Sequence, residues 1–310
     1  MKIERNTDLK YFVPDVFVPG VAKCGTSSLH DLLNKHPNIC MSTRKEPHFW
    51  TDTNFNAFKQ ENIDAYKSYF DNKTTKIKGE SSTGSLFFPE LFIPRIKSIA
   101  KTSPKFIIIL RNPIDRSYSH YWWCKGSGRE RRNFRNAIIE DKNASFEAYP
   151  DWPKNYYQFS IYSQWIDIFI KEFGKENILF ITLESLKTNP LETINSCFKF
   201  LNLEPLEIIE PVNNNETVIV KHSGIYNISR KISKGDYKFT KFAKYMLPVA
   251  VINKIRYLLN EKVFNLLKTD KKYQPISPEE KQWLKKLYRN EVTTLEKMLN
   301  RTFTEWKDFH

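Results

Sequence analysis

A chain of 310 residues that is 15% aromatic and 40% apolar is long enough to bury a sizeable core and too apolar to be disordered. Its net charge of +14 is lopsided, since residues 221–310 carry 20 Lys and Arg against 9 Asp and Glu, a tilt that suits an anionic partner such as a nucleotide or an acidic polysaccharide. Its 4 cysteines form no C-x-x-C pair and no cluster with histidine, and no stretch approaches the roughly 20 apolar residues of a membrane span, so a disulfide framework, a zinc site and a spanning helix are not expected.

The N-terminus, Met1-Lys2-Ile3-Glu4-Arg5-Asn6, is charged where a signal peptide is apolar, which points to the cytoplasm. Residues 12–21 read as a buried strand, and Thr26–His36 as a helix stopped by Pro37. Asn38–Met41 reads as a second strand, followed by the charged and aromatic loop Lys45-Glu46-Pro47-His48-Phe49-Trp50. Residues 54–71 place Phe55, Phe58, Tyr66, Tyr69 and Phe70 at helical spacing, as core or lid. Lys76–Glu80 is a candidate strand and Pro89–Ala100 a helix. Lys105–Arg111 is continuously apolar and β-branched, the pattern of a strand buried on both faces. Asn112-Pro113 ends it, and Pro113 suits the first turn of a helix reaching about Cys124.

Residues 125–155, polar and carrying Arg129, Arg131, Arg132 and Arg135, read as a mobile loop over the site. Ile161–Phe173 reads as a helix, Asn177–Leu183 as a strand and Pro190–Leu201 as a helix. Strand and helix in alternation predict an α/β fold with a parallel sheet covered on both faces. Residues 211–240 read as irregular, and 241–268 and 278–299 as helices. With no repeat and no firm boundary, one domain over 1–310 is expected, with its core at about 12–205 and a basic C-terminal part at about 206–310.

Two motifs carry chemistry. In the first, an apolar strand breaks at Gly20-Val21-Ala22-Lys23-Cys24-Gly25 and re-enters as a helix at Thr26-Ser27-Ser28-Leu29. Unpaired N–H groups at a helix start, the helix dipole and a lysine bind phosphate. Gly20 and Gly25 keep the spacing of a nucleoside-triphosphate loop, but the lysine stands at 23 and Thr26 occupies the usual lysine position. In the second, Arg111-Asn112-Pro113 ends the clearest strand, and Ser119 follows two helical turns later. An arginine fork with a serine hydroxyl suits a phosphate monoester.

Together these motifs resemble the 5′-phosphosulfate loop and the 3′-phosphate motif of sulfotransferases that use 3′-phosphoadenosine 5′-phosphosulfate (PAPS), in the manner of the heparan-type and bacterial carbohydrate enzymes. The resemblance runs from about Phe17 to Leu203, with an echo at Leu295…Trp306. It implies a three-layer, P-loop-like α/β fold with a central parallel sheet and C-terminal helices. It further implies PAPS as co-substrate, a carbohydrate or other hydroxyl or amine acceptor, and no requirement for metal or nucleic acid.

On that resemblance Lys23, Gly25, Thr26, Ser27, Ser28, Arg111 and Ser119 bind the nucleotide, with Tyr162 as a further contact to the 3′-phosphate. Glu46, in the Lys45–Trp50 segment, is the base, although paired with Lys45 it would be an ordinary loop carboxylate. His48 is an acceptor-positioning residue or alternative base, and Glu80 is a second alternative. The family's glutamate at that place is commonly followed by lysine, where this chain has Ser81. A Golgi-luminal catalytic domain is the alternative to a cytoplasmic enzyme. Competing functions are a P-loop nucleotide kinase and a non-catalytic protein binding nucleotide or acidic polysaccharide.

Overall fold

The strand Val16–Val18 (β1) forms the centre of a sheet whose neighbours on both sides run parallel to it. The computed structural model describes residues 12–52, 60–70, 75–144, 154–210, 219–220, 224–225, 228–229, 266–269 and 273–310. Within these, β2 (Ile39–Met41), β3 (Ile77–Ser81), β4 (Lys105–Leu110) and β5 (Ile178–Thr182) complete a five-stranded sheet of order β2-β3-β1-β4-β5, parallel throughout. The chain crosses from one side of β1 to the other between β3 and β4. A topological switch therefore lies at β1/β4, where open α/β sheets bind their ligands beyond the carboxyl ends of the strands.

The helices between strands are α1 (Thr26–Leu33), α2 (Gln60–Lys67), α3 (Gly84–Phe87), α4 (Pro89–Ile99), α5 (Pro113–Gly126), α6 (Phe134–Asn143) and α7 (Tyr162–Phe173). After β5 come α8 (Leu183–Thr188), α9 (Pro190–Phe200) and the long α10 (Pro278–Leu299). Phe17 of β1 and Phe106 of β4 stack at 6.0 Å between centroids, and Phe92 of α4 and Phe169 of α7 close over them. β4 is buried along its apolar run, as its composition demands, because helices flank the sheet.

Contacts divide the chain into two compact units. The first comprises Met1–Arg116, Phe159–Asn214 and Lys285–His310, and holds the sheet. The second comprises Ser117–Gln158 and Asn215–Leu284. In the second, Trp122 stacks on Tyr273, Tyr118 donates to the Gln274 carbonyl, and a two-residue antiparallel pair joins β6 (Ile219–Val220) to β7 (Lys268–Thr269).

Residues 125–155 are not a loop throughout, for α6 lies within them. Asn133 caps α6 by accepting from the Asn136 N–H, and Phe134, Ala137, Ile138 and Asp141 are buried on one face. The expected helix over 241–268 lies outside the described residues up to 265; Leu266 and Leu267 are helical as expected, and Lys268 opens the strand Lys268–Thr269. The expected irregular segment 211–240 also falls largely outside them, as do Phe55 and Phe58, whereas Tyr66 and Phe70 are core.

Candidate active site

Beyond β1 the chain reaches Gly25 at φ +91°, a left-handed turn that a side chain would strain, and a Cβ there would also lie 2.6 Å from Leu183 Cδ1. Gly25 is the N-cap of α1, and no side chain caps that end. The first-turn N–H groups of Thr26, Ser27 and Ser28 therefore have no intrahelical partner, and no acidic residue opposes the dipole there. Thr26 is buried, and Ser27 and Ser28 are half-buried. Lys23 sits in the turn at φ +72°. Cys24 is fully buried against Tyr162, and burial pushes its thiol up to about 12, so it fills space and does not ionise.

The carboxyl end of β4 presents Arg111, whose guanidinium donates to the Lys23 carbonyl at 3.2 Å, so the arginine of one motif meets the backbone of the other. The turn holding it is tied down on three sides. Tyr162 donates its hydroxyl to the Arg111 carbonyl at 2.8 Å, and the Asn112 N–H donates to Glu184 at 2.9 Å. The Asn112 side chain donates to Asp308 at 2.7 Å and accepts from the Ile114 N–H at 3.0 Å, which caps α5. Trp306 donates to the second oxygen of Glu184. Burial pushes the Glu184 carboxyl up, against the donation it receives from Asn112.

Tyr162 differs from expectation. It is fully buried with its hydroxyl engaged, so it braces Arg111 from behind and does not reach toward an anion. Ser119 lies on the part of α5 that belongs to the second unit and is 4% exposed.

The loop after β2 is pinned to the end of β3. The Glu46 N–H donates to the Ser81 carbonyl at 3.0 Å, and the His48 N–H donates to Ser82 Oγ at 3.2 Å. Glu46 Oε2 accepts from the Thr83 N–H at 2.8 Å and the Thr83 hydroxyl at 3.2 Å, with His48 Nε2 at 3.5 Å. Glu46 Oε1 accepts from Lys45 Nζ at 2.8 Å. Burial pushes the His48 imidazole down, which keeps it neutral at pH 7, although Glu46 pulls the other way. Ser81, the residue after Glu80, hydrogen-bonds His30 Nδ1 of α1 at 2.9 Å.

Glu80 is sealed off from solvent and therefore from any acceptor, with Oε2 accepting from the Tyr66 hydroxyl and Oε1 without a hydrogen-bond partner among the described residues. Burial pushes its carboxyl up to about 7. The expectation of an alternative base at Glu80 therefore meets a group packed behind the rim.

Five non-glycine residues have positive φ among the described residues: Lys23, Glu46, His48, Asn202 and Asn300. Asparagine tolerates that region, whereas Lys23, Glu46 and His48 hold it at a cost in backbone strain. Thr83, Glu184 and Asp308 were not expected at the site. Each is a polar residue remote in sequence from the group it holds, with no local pattern to announce it.

A family model described as the sulfotransferase domain matches residues 13–262. The chain belongs to the sulfotransferase family. This sulfotransferase is 24% identical to the carbohydrate sulfotransferase 15 of Rattus norvegicus over 63% of this chain and 44% of that protein. It is 27% identical to the heparan sulfate glucosamine 3-O-sulfotransferase 5 of Mus musculus, over 64% of this chain and 56% of that protein. The chain thus spans about half the length of these curated relatives. A solved sulfotransferase from Alicyclobacillus acidocaldarius shares the fold at a TM-score of 0.64 and 22% identity, covering 96% of this chain and 100% of that one. Among the described residues no helix is long and apolar enough to cross a membrane.

Proposed function

We propose that this sulfotransferase moves a sulfuryl group from PAPS to a hydroxyl or amine of a carbohydrate acceptor by in-line displacement, with Glu46 as general base. One observation carries the reading: Arg111, from the end of β4, donates to the carbonyl of Lys23 in the uncapped turn after β1, so two anion-binding motifs meet at the switch point of the sheet. When bound, PAPS supplies a sulfuryl group already attached to a phosphate leaving group.

Lys23 and the N–H groups of Thr26, Ser27 and Ser28 hold the 5′-phosphate and neutralise the charge that grows on its bridging oxygen. Arg111 binds the 3′-phosphate. Ser119 is assigned to the same phosphate on its spacing from Arg111 alone. Glu46 takes the acceptor's proton as the acceptor oxygen bonds to sulfur and the bond from sulfur to the 5′-phosphate breaks. Thr83 and His48 hold the carboxylate in place, and His48 orients the acceptor.

The carbohydrate acceptor rests on the named activities of the curated relatives and on the positive charge of the chain. Action as one domain over 1–310 belongs to the same proposal. So does residence in the cytoplasm, which rests on four buried cysteines that form no disulfide; a Golgi-luminal enzyme is the competing assignment. Incubation with labelled PAPS and a panel of polysaccharides, simple glycans, steroids and phenols, with products identified by mass spectrometry, tests it. Label on sugar is the expected result. Label on a steroid or phenol alone, or on nothing, overturns the acceptor assignment.

A further inference from the structure

The two oxygens of Glu46 are not equivalent. Oε2 is occupied by the Thr83 N–H and hydroxyl, with His48 beside it, so a proton arriving from an acceptor is directed to Oε1. Oε1 already accepts from Lys45 Nζ at 2.8 Å, and the two side chains are 27% and 23% exposed, only partly screened by water. The ammonium therefore competes with the acceptor for the same oxygen. Lysine is a point charge on a flexible four-carbon stem, so its ammonium can swing from the Glu46 carboxylate to another anion within reach. At the neighbouring strand end, Ser81 offers no charge and is engaged with His30, so Lys45 is the cation nearest the base in this loop.

We propose that Lys45 is a specificity-determining residue that guards the proton-accepting oxygen of Glu46 and yields it to acceptors carrying a carboxylate or sulfate beside the accepting hydroxyl. An anionic sugar draws Nζ onto itself, which frees Oε1 and anchors the sugar in one step. A neutral sugar leaves Lys45 in place and the base occupied. The inference rests on the reading of Glu46 as the base and of a carbohydrate as the acceptor.

The test uses the full chain with PAPS and two acceptors that differ only in charge: a glucuronic acid–N-acetylglucosamine disaccharide and its methyl ester. Wild-type enzyme is expected to favour the acid in kcat/KM by more than about tenfold, which corresponds to about 1.4 kcal/mol. Lys45→Met is expected to collapse that ratio to near one by raising KM for the acid and raising kcat for the ester. Lys45→Arg, which restores a cation, is expected to recover most of the ratio. A loss shared equally by both sugars in Lys45→Met, or a ratio unchanged from wild type, overturns the guard role while leaving the base and the acceptor class intact. Transfer to neither sugar by the wild-type enzyme contradicts the carbohydrate reading, and the guard role with it.

Discussion

Lys23, Glu46 and His48 each hold a left-handed backbone that their own side chains disfavour, and hydrogen bonds from neighbouring strand ends keep the Glu46 and His48 loop there. Arg111 is held by its carbonyl as well as by its guanidinium, so its fork has a fixed orientation, which suits the phosphate-binding role proposed for it. Arg111→Ala is accordingly expected to weaken 3′-phosphoadenosine 5′-phosphate by about 2–3 kcal/mol in a calorimetric titration, the worth of a charge-assisted pair. Unchanged affinity would remove Arg111 from the nucleotide site.

Glu80 makes a different prediction. Its carboxyl stands at about 7 in the fold against an ordinary 4.5, so the folded state holds the proton more tightly than the unfolded chain. That contribution is complete below about pH 4.5 and is lost as pH rises through about 7. Between pH 5 and 8 the wild type should lose about 2.5 kcal/mol of stability relative to Glu80→Gln, measured by urea denaturation. A difference that stays flat across that range would contradict the buried acid. Lys23 and Arg111 were singled out by short motifs of fixed spacing and Glu46 by the resemblance of its loop, and their roles stand as the proposal made above. Glu80 read as a rim residue because alternation along a strand does not tell how deep its end is buried.

Helices of the first unit are finished by residues far away in sequence. α7 begins at Tyr162 with no side-chain cap of its own, and Glu291 of α10 supplies the acceptor, taking the Ser163 N–H at 2.8 Å and its hydroxyl at 2.7 Å. The segment after α10 does the same for the Arg111 turn through Asp308 and Trp306. Asp308→Ala should raise KM for the nucleotide several-fold while leaving kcat within about twofold in steady-state kinetics, because Asp308 holds the turn that carries Arg111, the residue proposed to bind the nucleotide. A fall in kcat with KM unchanged would assign the C-terminal segment another role.

Such caps are invisible to local pattern, and so was α6, whose buried face of Phe134, Ala137, Ile138 and Asp141 is masked by charge in the sequence. Asp141 is buried because it accepts from the N–H groups of Tyr157 and Gln158, a use that no helical period announces.

At the scale of the whole chain, the alternation of apolar runs and amphipathic stretches sufficed for a parallel α/β fold, since strands such as Lys105–Leu110 are covered on both faces and read as unbroken β-branched runs. Their order across the sheet was not legible. It depends on which crossovers pack, and it is this order that sets β1 beside both β3 and β4 and so gathers the loops bearing Lys23, Arg111 and, through Ser81, Glu46.

In the proposed reaction a nucleotide site and a separate carboxylate base act together, and Glu46→Gln separates them. Measured side by side, the affinity of Glu46→Gln for 3′-phosphoadenosine 5′-phosphate should stay within about threefold of wild type, while sulfuryl transfer from labelled PAPS falls by about 10²–10⁴-fold, the range of a lost general base. Transfer within about tenfold of wild type at unchanged nucleotide affinity would contradict the account.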